Sequence, residues 1–196
     1  MSLNGTAYLI LGMLSIESDR SGYDIRKAVE SSVSHFWRES YGQIYPMLKR
    51  LAAEGLIIPR QSNSKGRPER QEYSLSAKGR ACLQDWLAAP YRDDPPRNEF
   101  LLKLFFGRSA SPNACVQQVK NFQDKNKSLL SALLGIERWE QANGGGNPHL
   151  PYWLLTLSFG IAHLRASIEW SDAALATLES ANPTATAGAK KRLKGM

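Results

Sequence analysis

Two groups of residues in this chain have types and spacing suited to chemistry on a polyanion. The first is Tyr41-Gly42-Gln43-Ile44-Tyr45-Pro46-Met47-Leu48-Lys49-Arg50-Leu51, where Ile44, Leu48 and Leu51 recur at i, i+4 and i+7. That spacing gathers the three aliphatic side chains on one helix face. It leaves Tyr41, Gly42, Gln43, Tyr45, Pro46, Lys49 and Arg50 on the remaining surface. Tyr and Gln exchange hydrogen bonds with base edges and phosphates, Lys and Arg neutralise phosphates, and a helix fits the major groove of B-DNA. The second group is Lys65-Gly66-Arg67-Pro68, followed by Arg70. It puts two cations on a compact loop, where Gly66 permits close backbone approach and Pro68 limits freedom. An Arg on such an arm commonly enters a narrow minor groove. An amphipathic surface helix or a solvated loop would explain either group by itself. Their order and separation point to a winged helix-turn-helix.

The flanking sequence supplies the elements that must hold these groups. Asn4 is a possible N-cap for a first helix to about Leu14, apolar on most sides and suited to the centre of a small domain. Ser18 to Gly22 reads as a turn, and Ser21 with Asp24 has the spacing of a capping box for a second helix. Ser40 and Gln43 repeat that spacing at the start of the helix described above, with Pro46 early enough not to break it and Gly55 as its stop. Leu56 to Arg60 and Gln71 to Leu75 read as two strands of a wing, the first an edge strand because of Pro59. Ser76 caps a fourth helix to about Ala88, expected to bury Leu83, Trp86 and Leu87.

Beyond the Pro-rich segment from Pro90 to Pro96 the pattern is helical throughout. A short helix is expected from Pro96 to Phe106, and a long one from Ser111-Pro112, a cap followed by Pro at the first position, to about Ala142. In the long helix Cys115, Phe122, Leu129 and Ile136 recur every seven residues, with Val119, Asn126 and Leu133 as a companion seam. Asn143-Gly-Gly-Gly-Asn-Pro148 breaks it. The last helix, from about Leu150 to Leu178, places Leu150, Leu154, Leu157, Ile161, Leu164, Ile168 and Leu175 on a heptad seam interrupted at Ser171. Such a seam fits dimerisation; it fits packing inside one chain as well. The expected fold is mainly α: a winged helix-turn-helix with a two-stranded β wing over residues 1–89, a linker at 90–96, an all-helical dimerisation domain at 97–181, and a basic tail at 182–196.

Charge follows the same division. The chain carries a net +7 with a sequence pI near 9.5. Residues 20–80 hold 12 Lys and Arg against 6 Asp and Glu, whereas residues 93–180 hold 8 against 9. The excess therefore sits on the expected reader and favours a polyanionic partner. His35, His149 and His163 are scattered, and the sequence holds no His-Glu-x-x-His, Cys-x-x-Cys, phosphate loop or Gly-x-Ser-x-Gly. No enzyme, cofactor or metal site is expected. Cys82 and Cys115 fit buried thiols in a reducing cytoplasm. The apolar stretch from Ala7 to Ile16 is too short to cross a bilayer, which takes about 20 residues.

The sequence resembles the PadR family of bacterial transcriptional regulators. The resemblance is carried by Ser21-Gly22-Tyr23-Asp24-Ile25, Tyr41 to Leu51, Glu54-Gly55-Leu56-Ile57, Gly66-Arg67-Pro68 and Tyr73-Ser74-Leu75-Ser76-Ala77-Lys78-Gly79-Arg80. More loosely, Arg97 to Phe106 looks like the start of the longer C-terminal domain of the virulence-activator-like branch. The resemblance implies a homodimeric repressor that binds a palindromic operator, with Tyr41, Gln43, Tyr45, Lys49 and Arg50 on or beside DNA and Lys65 and Arg67 on the wing. It also implies relief of repression by a small aromatic effector. Phe100 and Trp153 are candidates for lining an effector cavity, against a plain role in core packing. A second reading keeps the winged-helix fold but makes it a protein-interaction module that does not read DNA.

Overall fold

The computed structural model describes residues 3–37, 41–62, 70–91 and 98–181, and the chain divides into two compact units, residues 1–93 and 94–196. The first is built around α1 (Gly5–Ile16), whose N-terminus is closed by the Asn4 side chain accepting from the Ala7 N–H at 3.1 Å. Ala7, Ile10 and Leu11 of this helix have no exposed surface, and α2 (Gly22–Ser32), α3 (Tyr41–Ala53) and α4 (Ala77–Ala88) all pack on it. At the start of α2 the capping box forms in full. The Ser21 hydroxyl accepts from the Asp24 N–H, and the Asp24 carboxylate accepts from the Ser21 N–H at 3.1 Å.

The two expected wing strands pair, and a short third strand joins their sheet. Strands β2 (Ile57–Ser62) and β3 (Arg70–Leu75) pair antiparallel from Ile57–Leu75 to Ser62–Arg70, and β1 (Arg20–Ser21) joins the other side of β3. The expected turn from Ser18 to Gly22 therefore contributes a strand. Asp19 makes this possible: it turns the chain in the left-handed region (φ 58°), and the Ser74 hydroxyl of β3 donates to its carboxylate at 2.5 Å. Pro59 does lie on an edge strand of the sheet, the position where a residue without an N–H is tolerated.

Helix α3 buries Ile44, Met47, Leu48 and Leu51, a contribution of about 1.5–3 kcal/mol each before ordering entropy. It stops at Gly55, where φ is +69°, a conformation that only Gly adopts without strain. The carbonyls left open there are closed by the next helix. The Ser76 hydroxyl lies 2.8 Å from the Gly55 oxygen and 2.9 Å from that of Leu56, the Ser76 N–H donates to Leu56, and Lys78 Nζ donates to the Glu54 carbonyl at 2.8 Å. A Cβ on Gly79 would stand 2.0 Å from the Leu56 oxygen, so the first turn of α4 sits directly on the end of α3. The expectation for the far end of α4 holds for Leu83 only. Trp86 is 45% exposed, with one face covered by a stacked Tyr8 at 4.5 Å, and Leu87 is 67% exposed.

The second unit contains α5 (Glu99–Phe105), a 3₁₀ turn at Gly107–Ser109, α6 (Pro112–Asn143) and α7 (Leu150–Ala181). Helices α6 and α7 run antiparallel: Gly144 meets Leu150, Leu133 packs with Leu157, Ile161 and Leu164, and Gln123 bonds Asp172. The heptad seam of α7 faces α6 within the chain. Leu157, Ile161 and Leu164 are buried, Leu150, Leu154, Ile168 and Leu175 are half-buried, and Ser171 is fully covered with its hydroxyl on the Ser167 carbonyl. On α6 the companion seam of Val119, Asn126 and Leu133 is the one that faces inward, while the line through Cys115, Phe122 and Leu129 turns away from the core by Ile136. Ile136 is 41% exposed, and the buried line runs through Cys115, Val119, Gln123, Asn126 and Leu133.

Candidate nucleic-acid interface

The face of α3 opposite the core carries Gly42, Gln43, Tyr45, Pro46 and Lys49, all exposed. Tyr41 begins the helix. Two close approaches fix this face relative to its neighbours. A Cβ on Gly22 would stand 2.7 Å from the Tyr45 ring and 3.1 Å from Leu48, so α2 crosses α3 with no room for a side chain at Gly22. On its other side the Tyr45 phenol lies within electrostatic reach of Tyr73 on β3. Burial, and secondarily that neighbour, push the Tyr73 phenol above its ordinary pKa. Tyr45 is 53% exposed and Tyr73 only 7%, so Tyr45 covers Gly22 of α2 while keeping half its surface for a ligand.

Lys49 and Arg50 differ although they are adjacent. Lys49 is exposed and makes no ion pair among the described residues. Arg50 is half-buried, and its Nε donates to Glu54 Oε1 at 2.8 Å. The same pairing recurs around the sheet. Arg20 pairs with Glu17, and Arg60 lies 3.9 Å from Asp19. Arg70 opens β3 exposed and acts on Asp24 across the start of α2. The Asp24 carboxyl is held below its usual range, first by the hydroxyl of Ser21 at 2.6 Å, then by the Ser21 N–H and by the charges of Arg20 and Arg70. Burial opposes this, second in size only to the Ser21 hydroxyl. The positive charge counted in the sequence is thus partly neutralised in place, and Lys49 carries it most openly on the helix face.

Residues Lys65, Gly66, Arg67 and Pro68, and the Ser40 cap, lie outside the described residues. The pairing of Ser62 with Arg70 brings together the two strand ends that flank the 63–69 segment.

The two residues singled out for an effector cavity are not brought together. Phe100 stacks on Phe122 at 4.2 Å and meets Trp170 edge-on at 5.9 Å, whereas Trp153 stacks on His149. On α7 Trp153 and Trp170 are about 25 Å apart at 1.5 Å per residue. Among the described residues no group of three His, Cys, Asp or Glu side chains is placed to hold a metal, and no helix is long and apolar enough to cross a membrane. The Gly22–Tyr45 contact and the bonds from Ser76 and Lys78 to the end of α3 were not foreseen as parts of the reader. Their only local signal is the capping pattern of Ser21 and Ser76.

Residues 10–85 match the transcriptional regulator PadR-like family, and residues 96–179 match the virulence activator alpha C-terminal family. The negative transcriptional regulator PadR of Bacillus subtilis is 29% identical over 180 residues, covering 88% of this chain and 96% of that protein. Its structure in complex with operator DNA superposes with a TM-score of 0.77 at 29% identity, over 89% of this chain and 99% of that one. Its structure in complex with p-coumaric acid gives a TM-score of 0.71 at 29% identity, over 88% and 98%. The Vibrio cholerae virulence activator AphA gives 0.72 at 27% identity, over 90% and 99%.

Proposed function

Because the chain belongs to the PadR-like family of transcriptional regulators, with the longer C-terminal domain of the virulence-activator branch, we propose that it binds operator DNA as a homodimer and represses transcription until a small molecule releases it. One observation carries the DNA reading. Gln43, Tyr45 and Lys49 stand exposed on a helix whose opposite face is the core, beside a paired wing, in a fold that superposes on a relative solved with operator DNA. In this reading α3 enters a major groove, with Tyr41, Gly42, Gln43, Tyr45 and Pro46 toward bases. Lys49, Arg50 and Arg70 face phosphates, and Lys65, Gly66, Arg67 and Pro68 lie against the flanking backbone or minor groove. Two-fold symmetry calls for a palindrome with half-sites about 10 bp apart or a multiple of that. The regulator works in the cytoplasm, without a cofactor.

The dimer reading rests on surface that the seam of α7 leaves over. Phe159 is 73% exposed, Tyr152 70% and Leu155 66%, one apolar face of α7 at helical spacing; Phe105 of α5 is 82% exposed. A single chain gains nothing from such a face, and contiguous exposed apolar surface marks an interaction site. Release by a small molecule is supported by the relative solved with p-coumaric acid.

A mobility-shift titration on the DNA upstream of the protein's own gene, with and without small aromatic acids, tests the whole reading. Binding that weakens steeply with salt supports it. Salt-independent or absent binding favours the protein-interaction module.

A further inference from the structure

The short run from Asp19 to Gly22 joins the wing to the helices it accompanies. Gly22 makes room for the Tyr45 ring and so sets how α2 lies on α3. Ser21 caps α2 and exchanges bonds with Asp24. Arg20 and Ser21 form β1, a strand of 2 residues, with Arg20 opposite Tyr73 and Ser21 opposite Glu72. That ladder alone is a narrow attachment for a hairpin whose strands are 6 residues long.

Asp19 widens the attachment. Among the described residues it is the one non-Gly residue with a positive φ, 58°, a conformation that Asp tolerates because its side chain is short and polar. Its Oδ1 accepts from the Ser74 hydroxyl of β3 at 2.5 Å, and the same oxygen lies 3.9 Å from the Arg60 guanidinium of β2. One carboxylate oxygen therefore faces both strands of the wing. Arg20, its neighbour in sequence, pairs instead with Glu17. The attachment matters because the wing is a lever. From Ser74 to Arg70 the strand runs about 14 Å, so a tilt of about 10° at the base moves its far end by roughly 2 Å. A hydrogen-bonded contact made beyond that end does not survive such a shift. Asp19 is exposed and Ser74 half-buried, and neither belongs to the core, so variants at both positions keep the fold.

We propose that Asp19 is a positioning residue for DNA reading: by accepting from Ser74, with Arg60 beside it, it fixes the angle of the wing against α3 so that both reach the DNA together. The inference rests on the DNA reading above, in which Lys49 acts from the helix and Arg67 from the wing. Fluorescence anisotropy of the full-length protein on its upstream DNA over a salt series tests it, with urea unfolding alongside. In the wild type, Arg67→Ala should flatten the slope of log K against log salt by about 0.9. Ser74→Ala removes the bond without changing the charge. In that background Arg67→Ala should flatten the slope by less than half as much, while Lys49→Ala keeps its full effect. Asp19→Gly keeps the left-handed turn but loses the carboxylate, and should act as Ser74→Ala does. Combining the two should add nothing to either, since both remove the same bond. Asp19→Asn keeps an oxygen that accepts from Ser74 and should restore the full effect of Arg67→Ala. An Arg67→Ala effect of equal size in the wild type and in Ser74→Ala overturns the proposal and leaves the DNA reading in place. A Lys49→Ala effect that shrinks in step with that of Arg67→Ala also overturns it, because the reader is then loosened as a whole. Arg67→Ala without effect in the wild type removes the wing from the DNA reading, and the proposal with it.

Discussion

Lys49 and Arg50 carry the same formal charge one residue apart, and they should contribute unequally to DNA binding. Lys49 stands exposed on the outer face of α3, whereas the Arg50 guanidinium is 2.8 Å from the Glu54 carboxylate, with side chains 36% and 38% exposed. A phosphate approaching Arg50 meets a cation already offset by Glu54, and one approaching Lys49 does not. Each phosphate neutralised by a free cation steepens the slope of log K against log salt by about 0.9. Lys49→Ala should therefore flatten that slope by about 0.9. Between 50 and 200 mM salt the variant would lose about 3.5-fold less affinity than the wild type. Arg50→Ala should flatten it by less than half as much, and Glu54→Gln should strengthen binding at low salt by releasing Arg50. Folding stability should move by no more than about 0.5 kcal/mol in either Arg50→Ala or Glu54→Gln, because a partly exposed i,i+4 pair contributes little. Fluorescence anisotropy with upstream DNA over a salt series reads all three slopes. Equal flattening by Lys49→Ala and Arg50→Ala would refute the reasoning.

Three further predictions concern what holds the reader and the helical unit in place. Gly79→Ala puts a Cβ 2.0 Å from the Leu56 oxygen and should destabilise the N-terminal unit by about 3 kcal/mol in urea unfolding; a change near zero would mean that α4 can move away from the end of α3 freely. Asn126→Leu should raise the urea midpoint of the second unit, because Asn126 is 9% exposed and its Nδ2 has no partner among the described residues; a lowered midpoint would show that the amide is satisfied. The Asp24 carboxyl is held below its ordinary range, so the stability it contributes is present above that range and is lost as pH falls through the depressed value. The advantage of wild type over Asp24→Asn should be constant above about pH 5 and shrink below about pH 4, and an advantage that grows on acidification contradicts the assignment.

What the sequence disclosed was local. Asn4, Ser21 and Ser76 cap helices and Gly55 ends one, because each of those signals lies within four residues of the group it satisfies. What it withheld depended on distant partners or on the exact helical period. The strand at Arg20–Ser21 exists because Tyr73 and Glu72, some fifty residues away, offer it a sheet edge. The leucine seam of α7 suited a second chain and α6 alike, and the antiparallel hairpin shows that Leu157, Ile161 and Leu164 pack on α6 within the chain. The exposed face at Tyr152, Leu155 and Phe159 was hidden in the sequence by its overlap with that seam, since a helix apolar on two sides has no single stripe to read. Arg50–Glu54 had a visible i,i+4 spacing, but an ion pair and a phosphate contact leave the same trace in a sequence.

The two faces of α3 have separate tasks, and this bears on how such a regulator can change its operator. Ile44, Met47, Leu48 and Leu51 hold the helix to the core, and its end is fixed by bonds from Ser76 and Lys78 to the backbone carbonyls of Glu54, Gly55 and Leu56. None of those contacts involves Gln43 or Lys49. Substitutions at these two exposed positions should therefore redirect the proposed base and phosphate contacts with little effect on stability, since surface changes away from packing stay within about 0.5 kcal/mol. Tyr45 is the exception on this face. Its ring closes over Gly22, so changing it should alter both the proposed reading surface and how α3 meets α2. Sequence preference should accordingly vary at Gln43 independently of fold, whereas variation at Tyr45 should require compensation at Gly22.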